Sequence, residues 1–304
     1  MAAVGDRVRA DARAPHPGVV RALEAVLAVA LVAGGWTSGS PSLYEAACAG
    51  RLRVQQEGAV RSAALDELSG IVASRRRPGT YWVVNDSGGG ARIYAIGLGG
   101  GLRQTVRVDG APAVDWEDIA LGPGPSPGID YLYVADIGDN DAARSKIEVA
   151  RVPEPARGQT AVRATRIVLR YPDGPRDAEA LVVDPRRGTI VVVAKAIGGA
   201  RVYEAPARGG RLRRVGSVST LEPVTGASVS PGGDVVALRT YLSVLVWRRP
   251  AGAPLASALA GRSCTAPAPP ERQGEAIAFS ASGTRLVTVG EGSRPRIFAI
   301  APAR

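Results

Sequence analysis

Glu117, Glu179 and Glu275 each open a short apolar segment of one form, EDIALG, EALVVD and EAIAFS. Two such carboxylates held close together can serve as acid and base on a glycosidic bond. A larger oxygen set binds a hard cation without nitrogen or sulfur ligands. Asp115, Asp118, Asp136, Asp139, Asn140 and Asp177 lie near these segments or in adjoining loops, and with the three glutamates they form a candidate metal-ligand set for Ca²⁺. The loop Asp136-Ile137-Gly138-Asp139-Asn140-Asp141 is like a calcium loop, although its acids do not follow EF-hand spacing. Asp86, Trp116, Lys195, Arg239 and Tyr241 are candidate ligand-binding residues. Lys195 and Arg239 can neutralise an anionic ligand, or they can pair with Glu179 and Glu275 and join neighbouring structural units. The sequence leaves both readings open.

Other chemistries are closed off by composition. The chain has 304 residues and one histidine, His16, which lies in the N-terminal leader. A Ser-His-Asp triad, a Cys-His dyad and histidine-ligated metals are therefore excluded from the folded part. Two cysteines cannot build a four-thiolate site. No phosphate-binding glycine loop is present. One G-x-S-x-G occurs at 124–128, but Pro125 and Pro127 flank its serine and mark a turn. The net charge of +10 comes from 38 basic residues, of which only Lys146 and Lys195 are lysine. The arginines are scattered through loops and are not interleaved with aromatic platforms, so a solvated basic surface is expected and no specific nucleic-acid site.

Residues 1–21 are rich in Arg and Ala, an apolar run extends over 22–33, and small and polar residues follow to Pro41. This is the outline of a secretory signal, and the run is too short for a comfortable membrane span. We assign 1–45 to a signal-like or disordered leader and 46–304 to a single domain. The expected location is outside the cell or in the cell envelope, with no membrane span in the mature chain. In an oxidising compartment Cys48 and Cys264, 216 residues apart, are the pair available for a disulfide. Two free thiols are the alternative.

The elements that must position the acids repeat along the chain. First strands begin at Ser69, Glu117, Glu179, Thr225 and Glu275, spaced 48, 62, 46 and 50 residues apart. Each is followed by a Gly- or Pro-rich turn and a second apolar strand, from Thr80, Asp130, Thr189, Asp234 and Thr284. Third strands follow, and weaker fourth strands are read at Leu102, Ala161 (AVRATRIVLR), Leu212 and Leu255 (LASALA). Four strands every 45 to 50 residues, with no helical period between them, predict an all-β propeller. Five blades are expected, with six as the alternative. The last unit lacks a fourth strand, which residues 50–62 can supply by closing the ring. In a propeller the first strands line the central channel, so the acids are expected at one mouth of it.

The segments ELSGIVASRR, YWVVNDSG, DWEDIALGPG, YLYVADIGDN, RYPDGPRDAEALVVDP and QGEAIAFSASG together resemble a group of secreted actinobacterial β-propeller proteins, most without an assigned activity. That group is distantly similar to phytase-like and esterase-like propellers. The resemblance covers residues 66–300 and implies export and an acidic, calcium-loaded funnel. The expected function is non-catalytic binding of a small molecule, glycan or protein by a monomer. The alternatives are a calcium-dependent phosphoesterase, in which Lys195 and Arg239 hold phosphate, and a carboxylate glycoside hydrolase using two of Glu117, Glu179 and Glu275.

Overall fold

Five antiparallel-wound sheets make up the computed structural model, which describes residues 42–86 and 89–303. A short helix, α1 (Leu43–Cys48), precedes β1 (Leu52–Ala59). Blade 1 is β2 (Leu68–Ala73), β3 (Thr80–Asn85), β4 (Arg92–Gly97) and β5 (Leu102–Asp109). Blade 2 begins with β6 (Trp116–Pro123), β7 (Asp130–Asp136) and β8 (Ile147–Pro153). Its chain then contributes β9 (Ala161–Arg163) to the edge of blade 1 before completing its own sheet with β10 (Thr165–Arg170). Blade 3 is β11 (Ala178–Val183), β12 (Thr189–Ala194) and β13 (Ala200–Pro206); then β14 (Gly210–Arg211) pairs with β10, and β15 (Arg213–Val218) ends the blade. Blade 4 is β16 (Val224–Val229), β17 (Val235–Thr240), β18 (Val244–Arg248) and β19 (Cys264–Ala266). Blade 5 is β20 (Gly274–Phe279), β21 (Leu286–Gly290), β22 (Arg296–Pro302) and β1.

The chain is thus a five-bladed β-propeller, and the six-bladed alternative falls. Closure is as the repeat arithmetic expects: β1 lies antiparallel to β22, with Val54 opposite Ile300. Cys48 and Cys264 form a disulfide that ties the end of α1 to the outer strand of blade 4. Residues 42–45, at the end of the stretch read as leader, begin α1, where Ser42 and Glu45 form a capping box. The remainder of that stretch, 1–41, lies outside the described residues. Among the described residues no helix is long and apolar enough to cross a membrane.

Burial explains the strand patterns. Inner strands are covered on both faces by neighbouring blades, so β11 and β20 are buried at all six positions and read as apolar runs interrupted only by Glu179 and Glu275. Outer strands such as β15 face solvent, and their apolar content thins. Five apolar clusters result, one between each pair of adjacent blades, with the blade 5–blade 1 cluster completing the circle.

Two fourth-strand assignments need correction. LASALA is a 3-10 helix, Leu255–Ala260, because its apolar residues 255, 256, 258 and 259 recur at helical spacing and fill the space between blades 3 and 4. The true fourth strand is β19. AVRATRIVLR is two strands that break at Ala164 and serve different sheets. The first covers an edge of blade 1 that would otherwise expose unpaired backbone groups.

An acidic mouth built on five β-bulges

In every blade the pairing of first and second strands slips at the same place. The register jumps between Leu68 and Gly70, Trp116 and Asp118, Ala178 and Ala180, Val224 and Gly226, and Gly274 and Ala276. The residues skipped are Ser69, Glu117, Glu179, Thr225 and Glu275, the five positions that the repeat makes equivalent. A bulge frees a residue from the ladder and re-aims its side chain. All five are nearly inaccessible, at 1–6 % exposure. In blades 1 and 4 the bulge hydroxyl stitches the ring: Ser69 Oγ donates to the Trp116 carbonyl at 2.7 Å, and Thr225 Oγ1 to the Gly274 carbonyl at 2.7 Å. Gly70 and Gly226 follow these bulges, and a Cβ on either would strike the backbone of the next inner strand at 2.7 and 2.6 Å. Blades 2, 3 and 5 place glutamate where the others place hydroxyls.

Around these glutamates the mouth divides in two. On one side Asp86 (after β3), Asp115 (before β6) and Glu117 bring carboxylate oxygens within 4.8 Å of one another. Burial raises Asp86, which shares a hydrogen bond with Asp115. Burial, then that bond and the charge of Asp86, raise Asp115 to about 6. Glu117 is pushed to about 10, first by burial and then by the negative charge of Glu179. Asp86 Oδ1 is buried without a hydrogen-bond partner. Gly138 closes against this group, and a Cβ there would collide with the carboxylates of Asp115 and Glu117.

On the other side Lys195 donates to Glu179 Oε1, and its charge also acts on Tyr241. Burial alone lowers an ammonium, but the Glu179 bond and charge outweigh it and hold Lys195 above its ordinary value. Glu179 Oε2 is buried and unpartnered. Burial, offset by Lys195, leaves Glu179 at about 7. Burial and then Glu179 bring Glu275 to about 8. Glu291, at the foot of the loop after β21, is also raised by burial. Asp177 joins this rim, where its Oδ1 accepts the Asp139 N–H at 2.9 Å.

Several residues read from the sequence as site residues are engaged elsewhere. Trp116 is 1 % exposed, packs in the cluster between blades 1 and 2, and donates its indole N–H to the Pro112 carbonyl at 2.8 Å. Asp118 follows the bulge and so points the other way, accepting the N–H groups of Ile119, Leu181 and Ala227 from three inner strands. Burial pushes it well above the carboxylate range against those three donors. Asp136 accepts from Arg144 at 2.7 Å and from the Val114 and Asp115 N–H groups. Asp139 accepts the Ala143 and Arg144 N–H groups at 2.9 Å, and Asn140 is exposed at the loop tip. The 136–141 loop is therefore organised by its own backbone donors and Arg144. Arg239 does not reach Glu275: fully buried, it pairs with Glu271 at 2.8 Å. The expected Lys195–Glu179 pair does form. Sequence reasoning missed Arg144 and Glu271, and took Gly138 only as part of the calcium-like loop. Its place between two acids in a loop leaving a second strand is the signal for its close approach to the carboxylates.

No family model matches this chain, and no curated protein does. A solved structure titled "Crystal structure of Nidogen/Laminin Complex" aligns over 73 % of this chain and 72 % of its own, at 14 % identity and a TM-score of 0.42. That likeness is remote and says nothing about ligands. Fold and site define the class: a five-bladed β-propeller whose channel mouth gathers carboxylates from at least three blades.

Proposed function

We propose that this protein is an exported binding propeller that takes a ligand or partner at its acidic mouth, with a divalent cation, Ca²⁺ best, on Asp86, Asp115 and Glu117. The observation that carries the reading is the gathering of those three carboxylates within 4.8 Å. Like charges so close need protons or a cation between them. The donor set fits: all ligands are hard oxygens, Asp86 Oδ1 is buried and unpartnered, and Gly138 lets the chain approach the carboxylates of Asp115 and Glu117 more closely than a side chain would allow. Bound Ca²⁺ would supply charge neutralisation and order the loops around β3, β6 and β7. Export is supported by the Cys48–Cys264 disulfide, since such bonds persist in oxidising compartments.

Binding is favoured over turnover because the groups a catalytic reading needs are occupied. A phosphoesterase would hold phosphate with Lys195 and Arg239, yet the first is bonded to Glu179 and the second is buried against Glu271. A glycoside hydrolase would stack sugar on Trp116 and Tyr241, and the first of these lies in the core.

Thermal unfolding of the full chain in Ca²⁺ and in EDTA tests the proposal. Ligand binding to the folded state at a hundred times its dissociation constant adds about 2.7 kcal/mol, so a rise of several degrees is expected. Asp115→Asn and Glu117→Gln should each abolish the rise. An identical melting temperature in both buffers would sink the calcium site.

A further inference from the structure

The four large apolar side chains that are most exposed among the described residues are Val114 at 64 %, Ile197 at 73 %, Leu221 at 96 % and Leu242 at 73 %. All four lie on loops that either enter an inner strand or leave a second strand, and so open on the acidic mouth: 110–115 before β6, 195–199 after β12, 219–223 before β16 and 241–243 after β17. Single exposed apolar residues are ordinary, but three of these belong to loops tied to one another. The Gly198 N–H donates to the Thr220 carbonyl at 2.9 Å, joining the loop of Ile197 to that of Leu221. Glu222 accepts the Leu242 N–H at 2.8 Å and the Thr240 hydroxyl at 2.5 Å, joining the loop of Leu221 to that of Leu242. The same loops carry the inward-facing half of the mouth: Lys195 is two residues from Ile197, and Tyr241 adjoins Leu242. A preorganised apolar collar on the loops of blades 3 and 4 thus borders the half of the mouth that holds Glu179 of blade 3 and Glu275 of blade 5.

We infer that this face docks a polypeptide segment in which a Lys or Arg is flanked by aliphatic or aromatic residues. The basic side chain enters the mouth toward Glu275 and Glu291, and its apolar neighbours rest on Ile197, Leu221 and Leu242. This rests on the binding function proposed above and names the partner's chemistry. Charge complementarity selects the occupant. Lys195 acts on both Glu179 and Glu275, Arg239 acts on Glu275 but is paired with Glu271, and the carboxyls of Asp177 and Glu291 also act on this half of the mouth, so carboxyls there outnumber the cations. An anionic lipid surface, the other customary partner of exposed leucines, would be repelled by those acids. Apolar anchors beside a desolvated charge pair are the composition of an interface hot spot.

Selection of a phage-displayed random peptide library on the full chain in Ca²⁺ tests this. Enriched peptides should carry a Lys or Arg between apolar residues. Their affinity should fall about tenfold or more on the collar variant Ile197→Ser/Leu221→Ser/Leu242→Ser, and likewise on Glu275→Gln. Because the collar side chains are exposed, that variant should melt as the parent does; Glu222→Gln, which keeps an acceptor, provides a milder second perturbation. No enrichment overturns the inference, as does enrichment of peptides without the basic–apolar pattern. Peptides indifferent to the collar but lost on Glu275→Gln would overturn the collar and leave the acidic mouth as a binding site. Peptides lost on the collar variant but indifferent to Glu275→Gln would overturn the basic-residue pairing. Collar-dependent binding to anionic vesicles, or collar-dependent dimerisation in sedimentation, would replace the inference with a different occupant.

Discussion

Arg249 of blade 4 holds Asp184 of blade 3 by two parallel bonds, of 3.0 and 2.7 Å, with both side chains 1 % exposed. The guanidinium also donates to the Gly233 and Ala253 carbonyls, so its donors are used within a dry joint between two blades. Removing one partner of a buried pair leaves an uncompensated charge, which is far worse than removing both. Asp184→Ala should destabilise the chain by about 3–5 kcal/mol in urea denaturation. A loss below about 1 kcal/mol would mean the joint is hydrated.

The Cys48–Cys264 bond closes a loop of 216 residues and ties blade 4 to the segment leading into the closing strand β1. Cys48→Ser should lower stability by about 2–5 kcal/mol. Dithiothreitol should shift the parent's melt downward and leave the variant unmoved; equal shifts in both would refute the assignment.

The metal-free chain should lose stability as pH rises from about 4.5 to 8. Glu179 and Glu271 sit at about 7 and Glu275 at about 8 in the folded state, each raised chiefly by burial from 4.5. Across that window the folded state holds more protons than the unfolded one, so the slope of stability against pH is negative. Each carboxyl contributes on the order of 1 kcal/mol per pH unit. Glu148 acts in the opposite sense: hydrogen bonding from Arg166 holds it at about 2, so its contribution is present above 4.5 and is lost as pH falls toward 2. Melting temperatures across pH 5 to 8 in EDTA check the sign, and a flat or rising profile would contradict it.

Gly138→Ala should remove the calcium-dependent stabilisation, because its Cβ would occupy space taken by the carboxylates of Asp115 and Glu117. The overpacking should also cost about 1–3 kcal/mol in EDTA. Gly199→Ala, where a Cβ meets nothing within 4 Å, is the control and should keep the calcium response. Calorimetric titration with CaCl₂ distinguishes the two.

How much of this was legible in the residues differs by element. Inner and second strands announce themselves because burial on both faces demands largely apolar runs, and five such pairs recurring along the chain point to a propeller. The equivalence of Ser69, Glu117, Glu179, Thr225 and Glu275 was readable for the same reason, and the bulge at each is its structural expression. Outer strands were harder, since an edge pairs with whatever comes near it. That is how LASALA became a helical filler and residues 161–163 crossed to blade 1. Partnership among charges was decided only in three dimensions. Asp118 and Glu117 are neighbours in sequence, but the bulge turns one toward backbone donors of the inner strands and the other into the mouth. Arg239 reads like Lys195 in the repeat, yet Glu271, contributed from another blade's approach, captures it. A repeat encodes position within a blade. Which charges meet depends on the faces that adjacent blades present to each other, and no single blade's sequence contains that.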